Sequence, residues 1–212
     1  MSKDDDLARE KVVSLFDNFR VNTIPVQVKI EGKNKILSLV EAEKILENTS
    51  IIVLNKCPCR SKRRFCDKPT EVCLCFDEYG EGYLAKGQGK IITSEEAMAV
   101  LQKSHRAGLV HVTYTPKETD KVDSICSCCT CCCPFLGGMM KFGDVGIVEP
   151  SKNIAKYDNT NCTLCGTCVD SCPFHAWKFE EGSLNFNPNK CFGCGICVSS
   201  CPENAITFEI RS

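Results

Sequence analysis

The chain has 212 residues, 26 basic and 27 acidic side chains, a formal net charge of −1 and 19 cysteines, roughly one residue in eleven. That balance leaves no bulk electrostatic footprint for nucleic acid, and no apolar run nears the roughly 20 residues of a bilayer span; even Ile51 to Leu54 stops at Asn55. Met1 to Glu10 carries neither the basic nor the apolar region of a secretory signal, so a cytoplasmic location is expected, where dense cysteine points to metal rather than disulfides.

In chain order, residues 4–20 set Leu7, Val12, Leu15, Phe16 and Phe19 on one helical face behind an acidic first turn. Residues 24–30 alternate like a strand, and Ser38 with Glu41 forms a capping-box pattern opening a helix to about Asn48. Ile51 to Leu54 reads as a short buried strand. Thr93 and Glu96 repeat the capping box before Ala97, Val100 and Leu101, with Gly108 placed to stop that helix and Leu109 to Thr115 alternating as a strand. The cysteines of this region are expected on loops after strands, and Gly137, Gly138 and Pro150 punctuate the passage into the C-terminal part of the chain.

The cysteines fall into four blocks, at 57–75, 126–133, 162–172 and 191–201. The last two are an internal repeat: Cys162 to Phe179 laid over Cys191 to Phe208 gives ten identities in eighteen positions. Self-similarity of that kind implies two structurally equivalent halves. The expected fold class is α+β: a small cysteine-rich α+β domain at 1–125, a cysteine-crowded connector at 126–152, and a domain built as a pseudo-two-fold repeat at 153–212.

Cys162-x2-Cys165-x2-Cys168-x3-Cys172-Pro173 and Cys191-x2-Cys194-x2-Cys197-x3-Cys201-Pro202 both match the bacterial run C-x2-C-x2-C-x3-C-P. From Asn153 onward the chain resembles the bacterial dicluster ferredoxins, which bind two [4Fe–4S] clusters. In that family the fourth cysteine of each run ligates the other cluster. The resemblance implies Cys162, Cys165, Cys168 and Cys201 on one cube and Cys191, Cys194, Cys197 and Cys172 on the other. A structural zinc site on Cys162, Cys165, Cys191 and Cys194 is the competing reading, and it leaves the other four without a role.

The remaining eleven cysteines fit no named spacing. Adjacent cysteines tend to point apart, so a Cys-Cys pair can split between two sites. The pattern Cys57 to Arg60, Gly108 to His111 and Cys126 to Cys133 is similar to that of uncharacterised ferredoxin-domain proteins of anaerobes and archaea, which bring no established activity. At least one further iron–sulfur site is expected, built jointly by both blocks from Cys57, Cys59, Cys66, Cys73, Cys126, Cys128, Cys129 and Cys132, with Cys75 a bystander. A zinc site, or a redox or metal-storage segment, stays open for the same thiols.

Of the basic run Arg60 to Arg64, a solvated loop is the default reading and counter-charge for an anionic cluster the alternative. His111 reads as a core histidine. Gly87-x-Gly89-Lys90 fails the phosphate-loop spacing. The leading functional reading is a carrier of single electrons through two [4Fe–4S] clusters plus an N-terminal iron–sulfur site, with redox partner proteins as donor and acceptor, in anaerobic metabolism. Alternatives are an oxidoreductase or oxidoreductase subunit reducing a small substrate at an open-iron N-terminal cluster, and a redox or oxygen sensor.

Overall fold

The computed structural model describes residues 19–23, 40–116, 121–142 and 148–211. Strands β1 (Phe19–Thr23), β2 (Ile52–Lys56), β3 (Glu71–Phe76), β4 (Lys90–Ile91), β5 (Val110–Pro116) and β6 (Ser124–Cys128) form one sheet in the order β1-β5-β6-β3-β2-β4, every pairing antiparallel. Helices α1 (Val40–Glu47), α2 (Pro58–Arg63), α3 (Asp77–Leu84), α4 (Ser94–Arg106) and α5 (Pro134–Phe142) cover it.

The pleat sends successive side chains to opposite faces, and this divides the sheet chemically. Ile52, Leu54, Leu74, Phe76 and Ile125 share one core cluster with Ala42 and Leu46 of α1 and Ala97 and Leu101 of α4. The alternate positions Cys73, Cys75, Cys126 and Cys128, with Tyr114, line a cavity on the other face. Tyr79 and Tyr83 of α3, Arg60 of α2 and Phe135 of α5 close around it.

Helix α4 begins where expected. Thr93 and Glu96 make the full capping box, with Thr93 N–H donating to Glu96 Oε2 at 2.9 Å and Glu96 N–H to Thr93 Oγ1 at 3.2 Å. The helix expected near 38–48 and the strands near 51–54 and 109–115 appear as α1, β2 and β5. Residues 19 and 20, the end of the expected first helix, pair with β5 instead, because cross-strand pairing outweighs a local apolar face. The rest of that helix, and the strand at 24–30, lie outside the described residues. Cys73 and Cys75 lie within β3 rather than on loops, Cys126 and Cys128 belong to β6, and Gly137 and Gly138 fall inside α5.

The C-terminal region pairs β7 (Asn153–Tyr157) with β10 (Ile206–Ile210), folds β8 (Trp177–Glu180) onto β9 (Ser183–Phe186) across a turn at Glu181 and Gly182, and packs α6 (Thr167–Ser171) against α7 (Ile196–Ser200). Its backbone repeats at the 29-residue offset. Left-handed conformations recur in pairs at Leu164 and Gly193, Gly166 and Gly195, and His175 and Asn204. Asp158 and Asn187 cap equivalent 3-10 turns, and Ser171 Oγ lies 3.0 Å from Ser200 Oγ, so equivalent atoms meet on the pseudo-two-fold axis.

Both regions share one core. Val110, Val112, Leu136 and Met139 join Phe174, Trp177, Ile196, Val198 and Ile206 in a single buried cluster. A polar link crosses the same boundary: His105 of α4, 2% exposed, lies with Nε2 2.8 Å from Ser199 Oγ of α7. Burial, with repulsion from Arg106, pushes His105 down to about 4, so the native state keeps it neutral. The unfolded chain binds that proton below about 6.5, the ordinary value, so stability falls as pH drops toward 4. Between pH 7 and 5 this loss amounts to about 2 kcal/mol. Chemical denaturation of a His105→Gln variant across that range should show a pH slope flatter by that amount.

Candidate functional site

All 19 cysteines are free thiols. In the N-terminal region they form two groups, and residues around Cys57 show how local sequence sets the first. Pro58 at the first turn of α2 suits a helix start, and Cys57 Sγ caps it by accepting the Arg60 N–H at 3.5 Å. Cys57 has thiol hydrogen-bond contacts to both Cys59 and Cys73, Cys73 to Cys126, Cys126 to Cys128, and Cys128 to Cys133. The result is a chain of six sulfurs drawn from α2, β3, β6 and the turn before α5.

These six line a cavity of about 220 Å³, far more room than one ion or one water requires. Cys57 is held well below the ordinary thiol value by hydrogen bonds from Cys59 and Cys73, against the opposing effect of burial and with help from the Arg60 N–H and guanidinium. Cys75 also lines the cavity, and burial pushes it up to about 12; Cys59, Cys73, Cys126, Cys128 and Cys133 are raised as well, so Cys57 is the lining thiol held low. Tyr79, Tyr83 and Tyr114 are raised above their ordinary value, mainly by burial, so the wall carries protonated hydroxyls.

The second group is Cys66, Cys129, Cys131 and Cys132, whose sulfurs all lie within 4.8 Å of one another. Arg60 stands between the groups. Its guanidinium is 1% exposed and donates to the Pro69 carbonyl, to Ser127 O at 3.0 Å and to Cys129 Sγ at 3.5 Å. Burial pushes Cys129 up, yet Arg60 and the Cys132 N–H together bring it down to about 7. Arg60 thus leaves the solvated basic run and supplies counter-charge, while Lys62 and Arg64 stay exposed.

The C-terminal thiols also sort into two sets. Cys168 feels the charges of Cys162 and Cys201, whereas Cys172, Cys194 and Cys197 feel one another and Cys191. Cys172, Cys191, Cys194 and Cys197 line one apolar cleft walled by Phe174, Trp177 and Phe192. N–H groups point at sulfur: Leu164 N–H at Cys162 Sγ, 3.4 Å, and Ala176 N–H at Cys172 Sγ, 3.3 Å, with the Trp177 side chain donating to Cys197. Such donors offset the charge of a buried thiolate-bound cluster. The first set is nearer solvent, because Cys165 is exposed beside Thr167 while Cys172, Cys194 and Cys197 are buried.

Residues 154–202 match the family of the 4Fe-4S dicluster domain. The C-terminal region is therefore a ferredoxin-type domain that holds iron–sulfur clusters. Among curated proteins, no relative matches the chain. No helix among the described residues is long and apolar enough to cross a membrane.

Of the eight N-terminal thiols expected to act together, Cys57, Cys59, Cys73, Cys126 and Cys128 line the cavity, while Cys66, Cys129 and Cys132 gather elsewhere, Cys132 also bordering the cavity. Cys133 and Cys131 were missed. The signal for the split lay in the vicinal pairs: Cys128 and Cys129 point to different groups, as do Cys132 and Cys133, whereas Cys131 and Cys132 converge, 3.9 Å apart. His111 is a fully buried core residue, its Nδ1 3.1 Å from Ser127 Oγ. Its ring stacks on His105 at 5.7 Å and 12°. A continuous path thus runs from Ser199, between dicluster-domain Cys197 and Cys201, through both histidines to Ser127, between Cys126 and Cys128.

Gly193 has φ +69°, and a Cβ there would overlap the Asn153 carbonyl oxygen, whereas its repeat partner Leu164 is 49% exposed and accommodates a side chain. Gly193→Ala should therefore push the Cys191–Cys197 loop off β7 and lower bound iron and sulfide. Gly166→Ala, which meets only the Phe179 ring at 3.2 Å, should lose less. Iron and sulfide assays on both variants check this.

Proposed function

We propose that the chain is an iron–sulfur electron-transfer protein in which a ferredoxin unit, residues 153–212, exchanges electrons with partner proteins and delivers them to a third iron–sulfur site in the N-terminal cavity. The observation that carries this reading is the six-sulfur chain around a 220 Å³ cavity, joined to the dicluster domain by a shared core. The clusters supply reversible one-electron chemistry when bound.

In the ferredoxin unit, Cys162, Cys165, Cys168 and Cys201 hold one cluster and Cys172, Cys191, Cys194 and Cys197 the other. The two electrostatic groupings of these thiols support the exchange of fourth ligands. Cys165 lies near the exposed apolar Leu164 and Phe179, 49% and 45% accessible, a face suited to transient docking of a redox partner. Cys172, Cys194 and Cys197 of the second set are buried and share a core cluster with Cys128 and Cys133 of the cavity wall. In the cavity, Cys57, Cys73, Cys126, Cys128 and Cys133 are the principal candidate ligands, with Cys59 beside them. Arg60 and Lys56 supply positive charge at the wall.

A second reading, reduction of a small substrate in the cavity, is favoured by the Tyr79 and Tyr83 hydroxyls, 3.4 Å apart on the wall. They are proton-bearing groups that a pure carrier does not need.

Two cubes account for about eight irons and eight sulfides per chain, and a third cube would bring each to about twelve. Anaerobically purified protein should exceed eight of each. Cys73→Ser and Cys133→Ser should each return the counts to about eight while the dithionite-reduced EPR signals of the dicluster domain persist. Eight sulfides in the unmodified chain would remove the third cluster.

A further inference from the structure

We propose that Cys66, Cys129, Cys131 and Cys132 bind one mononuclear, thiophilic divalent ion of the zinc class, separate from the chemistry of the neighbouring cavity. The argument is metric. Four sulfurs at 2.3 Å from a tetrahedral ion stand about 3.8 Å from one another. Here Cys66 Sγ lies 3.8 Å from Cys129 Sγ and 3.9 Å from Cys132 Sγ, and Cys131 Sγ lies 3.9 Å from Cys132 Sγ. With all four inside 4.8 Å, the space between them suits a single ion, and no room is left for bridging sulfides.

Local structure prepares these thiols. The turn after β6 closes with Cys133 N–H donating to Cys129 O at 3.0 Å, which brings Cys129, Cys131 and Cys132 around one point. Cys66 arrives from the loop after α2, 63 residues earlier than Cys129. The Cys132 N–H donates to Cys129 sulfur and the Phe65 N–H to Cys132 sulfur, the orienting bonds typical around a thiolate-bound metal. Four thiolates and a divalent ion carry a net −2, which Arg60, 3.5 Å from Cys129 Sγ, partly offsets. Cys131 is exposed and Cys66 half-buried, which opens an entry path for the ion, while Cys129 and Cys132 are buried. An ion here would tie the loop after α2, the helix that carries Cys59, to the turn before α5, which carries Cys133 of the cavity.

The test loads the anaerobically purified full chain with Zn²⁺ and dialyses it against a competing chelator. One Zn²⁺ should remain per chain, and zinc-edge X-ray absorption should show four sulfur neighbours near ~2.3 Å. Cys66→Ser and Cys131→Ser should each weaken zinc retention about 100-fold or more, since losing even an outer partner of a ligand costs ~10–100-fold. Sulfide content should be unchanged in both, and Cys75→Ser should keep the ion. Loss of sulfide together with metal in Cys131→Ser would assign these thiols to a cluster and overturn the proposal, as would oxygen or nitrogen neighbours at the zinc, or a Cys66–Cys129 disulfide in the anaerobic protein. A Cys133→Ser variant separates the two readings: unchanged sulfide there counts against the cavity cluster while leaving the zinc assignment to stand on its own result.

Discussion

A thiolate held inside a protein is a charge without solvent, and eleven of this chain's 19 cysteines are buried as free thiols. Isolated, each would be forced to stay protonated, as Cys75 is, pushed up to about 12 by burial alone. Burial raises Cys172 and Cys197 as well, and positive charge or N–H donors oppose it where they face the sulfur. Arg60 does this for Cys129, the Ala176 N–H for Cys172, and the Trp177 side chain for Cys197. The protein carries almost no net charge, so this compensation has to be local.

The six-stranded sheet concentrates the thiols without exposing its core. Alternation puts Leu74, Phe76 and Ile125 under α1 and α4, and the residues between them, Cys73, Cys75 and Cys126, over the cavity. One face supplies apolar burial and the other supplies ligands. Pairing of β3 with β6, Leu74 opposite Ile125 and Cys75 opposite Ser124, brings two cysteine blocks together that lie some fifty residues apart in sequence. His105 and His111 then stack on the helix-covered side and join β6 to α7 of the dicluster domain through two serines.

How much of this was legible in the sequence depends on the range of the interactions. The C-terminal motifs are local, since three ligands of each run lie within seven residues, and the repeat at offset 29 is visible as identities; both appear in the structure as paired left-handed conformations and a serine pair on the axis. Capping boxes are equally local, and Thr93 with Glu96 marks α4 to the residue. The N-terminal thiols depend on strand pairing and on which way a turn points, neither of which spacing encodes. A partial signal was present in the strict alternation of Cys73, Leu74, Cys75 and Phe76, which sets both cysteines on one face, the one turned to the cavity. The expected connector begins at residue 126, yet Cys126 and Cys128 pair with β5, because a strand with a partner on each side gains ladder hydrogen bonds that composition does not announce.

The vicinal cysteines resolve how so many thiols avoid becoming one disordered metal sink. Cys128 at the end of β6 and Cys129 just beyond it, and again Cys132 and Cys133, lean toward two different neighbourhoods from adjacent positions, Cys132 bordering both. One neighbourhood is a roomy cavity whose sulfurs string across four elements. The other is a tight quartet whose closest separations are the ones a single tetrahedral ion imposes. Separation of sulfurs, rather than their number, is what distinguishes a site for a cluster from a site for an ion. With both built from the same eight-residue run, binding in the quartet would hold the turn that follows Cys128 and presents Cys133, so occupancy of the smaller site would stiffen the wall of the larger one.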